Sequence, residues 1–494
     1  MNFFKLISLC QPLAVQGSQP RTIRALVTDS RLVRRGDVFI ALRGFKVDGH
    51  RYISTAADNG ASAVIVEEIV PGTTITQIQV KDTRQLIGPL AQAFEGYPAK
   101  EVQIFGVTGT NGKTTVATLV HQVLFVLGIR AGLLGTIGVM IHKHRIPSHL
   151  TTPDAADLAS LFRMIASSKC RYACMEVSSH AIDQQRINGL TFKVAGFTNL
   201  SHDHLDYHKT MEEYAKTKKK FFDGLGKDAI AIVNTDDPQG EYMVSDCQAD
   251  IRRYGFAGSQ GDSILKNNSY GLVIKVDGVT VESPLIGEFN AYNLALTYHA
   301  CRALGISEED AVWALSNLEG PVGRMQRIVV ESDVALPVVI IDYAHTPDAL
   351  KNVLKTLHEI KKRNQFLHVV FGAGGDRDVS KRPEMAKFAE QYADCITITS
   401  DNPRNEDPEV ILDDITRGFS KKRSILRDVD RRRAILRTIH QANPNSIVLI
   451  AGKGHETTQE IKGTFHHFDD KEVAETALNN YESRFYTTGP GGMN

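Results

Sequence analysis

GVTGTNGKTT, Gly106–Thr115, is the stretch on which the reading of this chain turns. It follows an apolar strand pattern, VQIFGV. It precedes KTTVATLVHQVLFVL, in which Val116, Leu119, Val120, Val123 and Leu127 fall on one helical face and Gly128 is placed to cap the end. A strand, a glycine-rich loop and a helix start, in that order, make a phosphate cradle. Glycines let backbone N–H groups turn inward, and the helix N-terminus adds partial positive charge. Lys113 is placed to reach terminal phosphates, and Thr114 to offer its hydroxyl to Mg²⁺. The strict G-x-x-x-x-G-K-[ST] spacing is not met, because position 107 is Val and the glycines stand at 106, 109 and 112.

A chain of 494 residues suggests about three domains. The expected fold class is α/β. A small mixed domain is expected over residues 1–100, a central P-loop ATPase-type parallel sheet over 101–326, and a Rossmann-like α/β domain over 327–494. Tyr97-Pro98 breaks the pattern before the phosphate strand, and strands then alternate with helices as a largely parallel sheet requires. Asp277-Gly278 predicts a tight hairpin inside VIKVDGVTV, Val273–Val281. In the last third, VVIIDY, FLHVVFG, CITITS and SIVLIAG read as strands, and Pro347–Arg363 and Pro408–Arg417 as helices.

Composition excludes several classes of function. Lys plus Arg and Asp plus Glu are both 57, so no global field favours nucleic acid or an anionic membrane. No apolar run approaches the roughly 20 residues that span a bilayer. The N-terminus has no basic n-region, and Lys5 interrupts its apolar run, so no signal peptide is expected. The six cysteines sit at no zinc-finger spacing, and a reduced, cytoplasmic protein is expected, as a monomer.

RYACMEVSSH, Arg171–His180, puts Glu176 at the end of a predicted strand, where open α/β sheets bind ligands and where a carboxylate suits Mg²⁺. Downstream, His202, His204 and His208 with Asp203 and Asp206 read either as a zinc cluster or as a hydrated helix start. Lys216 and Lys218–Lys220 read as a solvated basic face.

Together these motifs resemble the Mur ligase family of ATP-dependent amide-forming enzymes, over nearly the whole chain. The family loop GTNGKT matches Gly109, Thr110, Asn111, Gly112, Lys113 and Thr114, with Thr115 following. The resemblance implies a metal set of Thr114, Glu176, His204 in DHLDYH, and Lys218, ten residues after that motif and carbamylated by CO₂. It implies further ATP contacts from Asn290 in GEFNAYN, Arg324 in GRMQ, and Asp342 and His345 in DYAHTPDAL. TDSRLVRRGDVFIALRG, Thr28–Gly44, resembles a uridine-nucleotide domain, with Ser30 its best-matched contact. Thr151 and Thr152 in LTTPD, and Ser178, Gln184 and Arg186 in EVSSHAIDQQRI, match positions that hold the UDP-muramyl peptide.

The activity implied is addition of meso-diaminopimelate to UDP-N-acetylmuramoyl-L-Ala-D-Glu with ATP and Mg²⁺, through an acyl phosphate. DNPR supplies Asp401, Asn402, Pro403 and Arg404; GAGGDRD supplies Arg377; GKGHE supplies Gly452 and Glu456. Arg404 would pair with the carboxylate that distinguishes diaminopimelate from lysine. A lysine-adding enzyme would leave this cation buried and unpaired, a loss of about 3–5 kcal/mol. The rivals are a lysine-adding ligase, which DNPR disfavours, a folylpolyglutamate synthetase, which the DSR domain disfavours, a regulatory P-loop NTPase, which would hydrolyse ATP without an acceptor, and a non-catalytic carbohydrate-nucleotide binding protein, which the intact Gly112-Lys113-Thr114 disfavours.

Overall fold

A computed structural model describes residues 1–44, 47–148, 150–258, 262–318, 320–420 and 425–481. The chain forms two compact units, Met1–Gly258 with Leu296–Ala311, and Ser259–Ala295 with Val312–Asn494.

The first unit holds two sheets. The N-terminal one is five-stranded, with spatial order Ala14–Gln16, Thr76–Gln79, Ala63–Val66, Val38–Ile40, Leu26–Val27. The central one is eight-stranded and carries the phosphate strand Gln103–Thr108 between Phe192–Phe197 and Tyr172–Glu176. Six of its strands run parallel, as expected. The edge strands Gly138–Ile141 and His144–Ile146 turn back antiparallel, an ending that the sequence reading did not include. The helix Lys113–Val126 buries Val116, Leu119, Val120 and Val123 as predicted; Leu127, expected on the same face, is the C-cap and only partly buried, and Gly128 stands just past it at φ 74°.

The second unit contains the predicted hairpin, Gly271–Val276 paired with Val279–Ser283, with Asp277 and Gly278 both at positive φ. A third strand, Ser263–Asn268, extends it into a small sheet. Its main sheet has six strands, ordered Gln326–Ile328, Val338–Asp342, Ile447–Ala451, Leu367–Phe371, Cys395–Ile398, Ile425–Arg427. The continuous apolar runs arise because helices cover both faces. Val338 and Ile340 enter one core with Leu354 and Met385, while Val339 and Ile341 enter the other with Ile435 and Val473. Three neighbouring parallel strands therefore end at one edge, and GGDRD, DNPR and GKGHE follow them.

Below that edge lies a fully buried ion pair. Arg431 gives Nε to Asp470 Oδ1 at 2.8 Å and Nη2 to Asp470 Oδ2 at 2.7 Å, and both side chains are shielded from solvent. Removing one partner strands the other charge without water. Asp470→Ala is expected to destabilise the protein by about 3–5 kcal/mol. Urea unfolding followed by circular dichroism measures this, and a loss under about 1 kcal/mol would contradict the reading.

Among the described residues no helix is long and apolar enough to cross a membrane. All six cysteines are free.

Candidate active site

The phosphate loop is held from behind by the next strand's exit. Thr110 N–H donates to Asn199 O at 2.8 Å, Asn111 N–H to Asn199 Oδ1 at 3.0 Å, and Thr198 Oγ1 to Asn111 O at 2.6 Å. Gly109, at φ 146°, packs so closely that a Cβ there would lie 1.9 Å from Thr198 Oγ1, so any side chain would be strained and would displace Thr198. Thr198 and Asn199 belong to no sequence motif singled out above. The signal for them is topological: they directly follow Phe192–Phe197, a strand adjacent to the phosphate strand.

Lys113 Nζ donates to Gly109 O at 2.8 Å and Thr110 O at 2.7 Å, so the ammonium lies against the loop. Thr114 Oγ1 donates to Glu176 Oε2 at 2.8 Å. Glu176 also accepts the Thr136 N–H at 2.7 Å on Oε1 and is almost fully buried. Thr136, likewise unforeseen, orients this carboxylate beside the phosphate loop. Thr115 lies in the helix's first turn.

Lys218 departs from the solvated-face reading. Lys218 and Lys219 are buried, and Lys216 and Lys220 are exposed. The helix Met211–Asp223 turns Lys218 inward, where Nζ donates to Gly109 O at 2.9 Å and lies 4.5 Å from the Tyr214 ring centroid. Burial, reinforced by the Lys113 charge, pushes its amine well below the ordinary lysine range. Lys219 is instead paired with Asp223 and Asp246 at 2.6 Å each.

The zinc alternative is not assembled. Among the described residues no three His, Cys, Asp or Glu side chains are grouped to hold a metal. His208 is buried against Ser179 Oγ at 2.9 Å, and His204 lies near Asp203, with its ring edge-on to His180 at 5.1 Å. Among the described residues no hydrogen bond joins His204 to Glu176 or Lys218.

A cavity of about 450 Å³ includes Thr28, Arg84, Asp154, Gln184, Arg186 and Tyr207 in its lining. Arg186 donates to Gln184 Oε1 at 2.7 Å and to Thr152 O at 2.8 Å. Thr152 Oγ1 donates to Glu176 O at 2.7 Å and accepts the Ser178 N–H at 3.1 Å. Thr151 Oγ1 lies 3.1 Å from Thr136 Oγ1. Thr152, Ser178, Gln184 and Arg186 thus form one network running to the Glu176 strand end. Ser30 is buried, and its carbonyl accepts from Asn59; Thr28, two residues earlier, lines the cavity.

In the second unit, Asp342 accepts N–H bonds from Met325 and Ala344, each at 2.8 Å, and burial raises its carboxyl. The Arg324 guanidinium lies 5.3 Å from the Tyr343 ring centroid, and its Nε is buried without an acceptor among the described residues. His345 Nδ1 is 2.9 Å from Tyr343 O. Asn293 donates to Asn290 Oδ1 at 3.0 Å, and Asn290 donates to Ile286 O at 2.8 Å.

At the strand edge, Asn402 Nδ2 donates to Glu456 Oε2 at 2.9 Å. Asp401 is buried, which raises its carboxyl, and lies so close to Gly452 (φ 119°) that a Cβ there would meet its Oδ2 at 2.4 Å. The Pro403 carbonyl packs on Gly375, and Arg377 is exposed on the neighbouring loop. Arg404 corrects one sequence argument. It is not left unpaired without a distal carboxylate: Nε donates to Glu460 Oε2 at 3.2 Å and Nη1 to Gly375 O at 2.6 Å. Discrimination against lysine therefore cannot come from a stranded cation alone.

Three family descriptions match the chain: "Mur ligase family, catalytic domain" over residues 22–95, "Mur ligase middle domain" over 107–301, and "Mur ligase, glutamate ligase domain" over 323–454. The UDP-N-acetylmuramoyl-L-alanyl-D-glutamate–2,6-diaminopimelate ligase of Phocaeicola vulgatus is 42% identical over 96% of this chain and 98% of its own. The protein of that name from Geobacillus kaustophilus is 40% identical over 94% and 96%. A solved structure of a ligase with this name superposes at a TM-score of 0.73, with 33% identity, over 97% of this chain and 99% of that one. Mycobacterium tuberculosis folylpolyglutamate synthase shares the fold at a TM-score of 0.54 and 21% identity, covering 75% of this chain.

Proposed function

The chain belongs to the Mur ligase family of ATP-dependent ligases, and from that premise we propose that it joins meso-2,6-diaminopimelate to UDP-N-acetylmuramoyl-L-Ala-D-Glu in cytoplasmic peptidoglycan precursor synthesis. The observation that carries the acceptor is the strand edge bearing Arg377, Asn402, Arg404 and Glu456, in a chain that matches, nearly end to end, ligases named for diaminopimelate.

The residues divide the chemistry among them. Loop N–H groups and the helix N-terminus receive the ATP phosphates, and Lys113 turns from the loop carbonyls to the charge that develops during transfer. Asn290, Arg324, Asp342 and His345 are the proposed remaining nucleotide contacts; the orphaned Arg324 Nε suits an anionic partner. Ser30, Thr151, Thr152, Ser178, Gln184 and Arg186 hold the UDP-muramyl dipeptide, with Arg186 presenting a planar fork to a carboxylate or phosphate. The substrate carboxylate attacks the γ-phosphate and ADP leaves. The acceptor amine then attacks the acyl phosphate, a proton and phosphate depart, and the amide forms. Exclusion of water protects the acyl phosphate from hydrolysis.

The donor set fits Mg²⁺. Thr114 and Glu176 are already paired, and Lys218 has the buried, readily deprotonated amine that carbamylation needs. Thr114 and Glu176 would hold one ion, and His204 with carbamylated Lys218 a second. When bound, Mg²⁺ supplies neutralisation of the phosphate charge.

Phosphate release with ATP, Mg²⁺ and the UDP-muramyl dipeptide tests the proposal. Turnover is expected with meso-diaminopimelate and at least about 100-fold weaker with L-lysine, since a site built for a polar group rejects an analogue that lacks it. Equal turnover with lysine would discard the acceptor assignment, and release without either acceptor would discard the ligase.

A further inference from the structure

Lys453 lies in GKGHE between two glycines and belongs to none of the roles assigned above. It is fully buried, which is rare for a lysine. The backbone leaves it little choice of position. Gly452 packs on the Asp401 carboxylate and donates its N–H to Asp342 O at 3.1 Å, and Gly454 packs on Tyr343. From there Nζ reaches two acceptors, Asn402 Oδ1 at 3.1 Å and Glu456 Oε2 at 3.3 Å.

The consequence falls on Asn402. Its Oδ1 accepts from Lys453 Nζ and, at 3.0 Å, from the Glu460 N–H. An amide flip would point NH₂ at an ammonium and a backbone donor, so the amide has one orientation. Its nitrogen then gives one N–H to Glu456 Oε2 and has a second to offer a ligand. Glu456 is fixed by the same ammonium. Buried ion pairs contribute weakly to stability compared with apolar packing, so folding alone does not account for a lysine here.

We propose that Lys453 is a positioning residue of the acceptor pocket: it locks the Asn402 amide and the Glu456 carboxylate into one preformed unit that receives the ammonium and carboxylate of the incoming amino acid. This rests on the acceptor reading above. The unit takes the distal end of diaminopimelate; lysine has an ammonium but no carboxylate there, so the lock also bears on specificity.

The test is steady-state phosphate release by the full chain, varying each substrate in turn, for Lys453→Met, Asn402→Ala and the double variant. Lys453→Met is expected to raise the KM for diaminopimelate by about 10- to 100-fold, the scale of a misplaced binding group, with the KM for ATP and for the UDP-muramyl dipeptide within about two-fold of wild type. The double variant is expected to lie within about three-fold of the worse single variant, because Lys453 acts through Asn402. Lys453→Gln keeps a donor to Asn402 Oδ1 without the charge, should give an intermediate KM, and serves if the Met variant does not fold. A diaminopimelate KM within two-fold of wild type, a common rise in all three KM values, or multiplying effects in the double variant would overturn the inference. Failure of the wild-type chain to use diaminopimelate would overturn the acceptor reading instead.

Discussion

Lys113→Ala is expected to lower ATP-dependent phosphate release by about 1,000-fold or more, in the range measured when a single preorganised charge is removed from a phosphoryl-transfer site. The loss should fall on kcat, because Lys113 meets charge that grows in the transition state, whereas the loop N–H groups bind the ground-state phosphates as well. The fold should survive. Lys113 sits at the first position of its helix, partly exposed, and donates to two carbonyls of its own loop. The apolar residues that anchor the helix, Val116, Leu119, Val120 and Val123, lie beyond it. A variant with a wild-type circular dichroism spectrum and turnover within ten-fold of wild type would sink the phosphate-loop assignment.

How much of this site could be read in advance depended on whether its determinants were local. The glycine loop was legible because strand, loop and helix are contiguous and each residue's chemistry is settled by near neighbours. The acceptor edge was legible in part: DNPR, GGDRD and GKGHE each follow an apolar run, and parallel strands leave their loops at a common edge. What lay beyond reach was pairing between distant segments. Glu460 takes up Arg404 from a two-stranded hairpin, Thr458–Ile461 with Thr464–His467, that no apolar alternation announced. Lys218 sits in a run of lysines whose composition says solvent, and only the helix phase, with Tyr214 and Phe221 on the same buried side, turns it inward. Thr198, Asn199 and Thr136 carry no motif chemistry of their own. They matter because the strand order sets them around the loop.

Lys218→Ala is expected to lower turnover by about 100-fold or more, on the scale of a lost group that orients metal and phosphate, with partial recovery in added formate or acetate. A lysine enclosed beside Lys113 is held well below the ordinary lysine range, so the neutral amine is populated at a pH where an exposed lysine remains protonated. A neutral amine here would add CO₂: the N–C bond would form, one proton would leave, and an anionic carbamate would replace a cation. A small carboxylate diffusing into the space left by the alanine variant supplies the same two oxygens. The pH dependence follows with a definite sign. Below the depressed value Lys218 is protonated and cannot hold CO₂, so wild-type activity should fall on the acid side and recover when bicarbonate is raised at fixed pH. Folding follows the same linkage. The unfolded lysine keeps its proton up to 10.5 and the folded one releases it earlier, so stability rises with pH between the two values. A folded alanine variant with activity within three-fold of wild type, or one that no small carboxylate revives, would remove the carbamate from the site. Lys218 would then be left as a buried donor to Gly109, a brace for the phosphate loop.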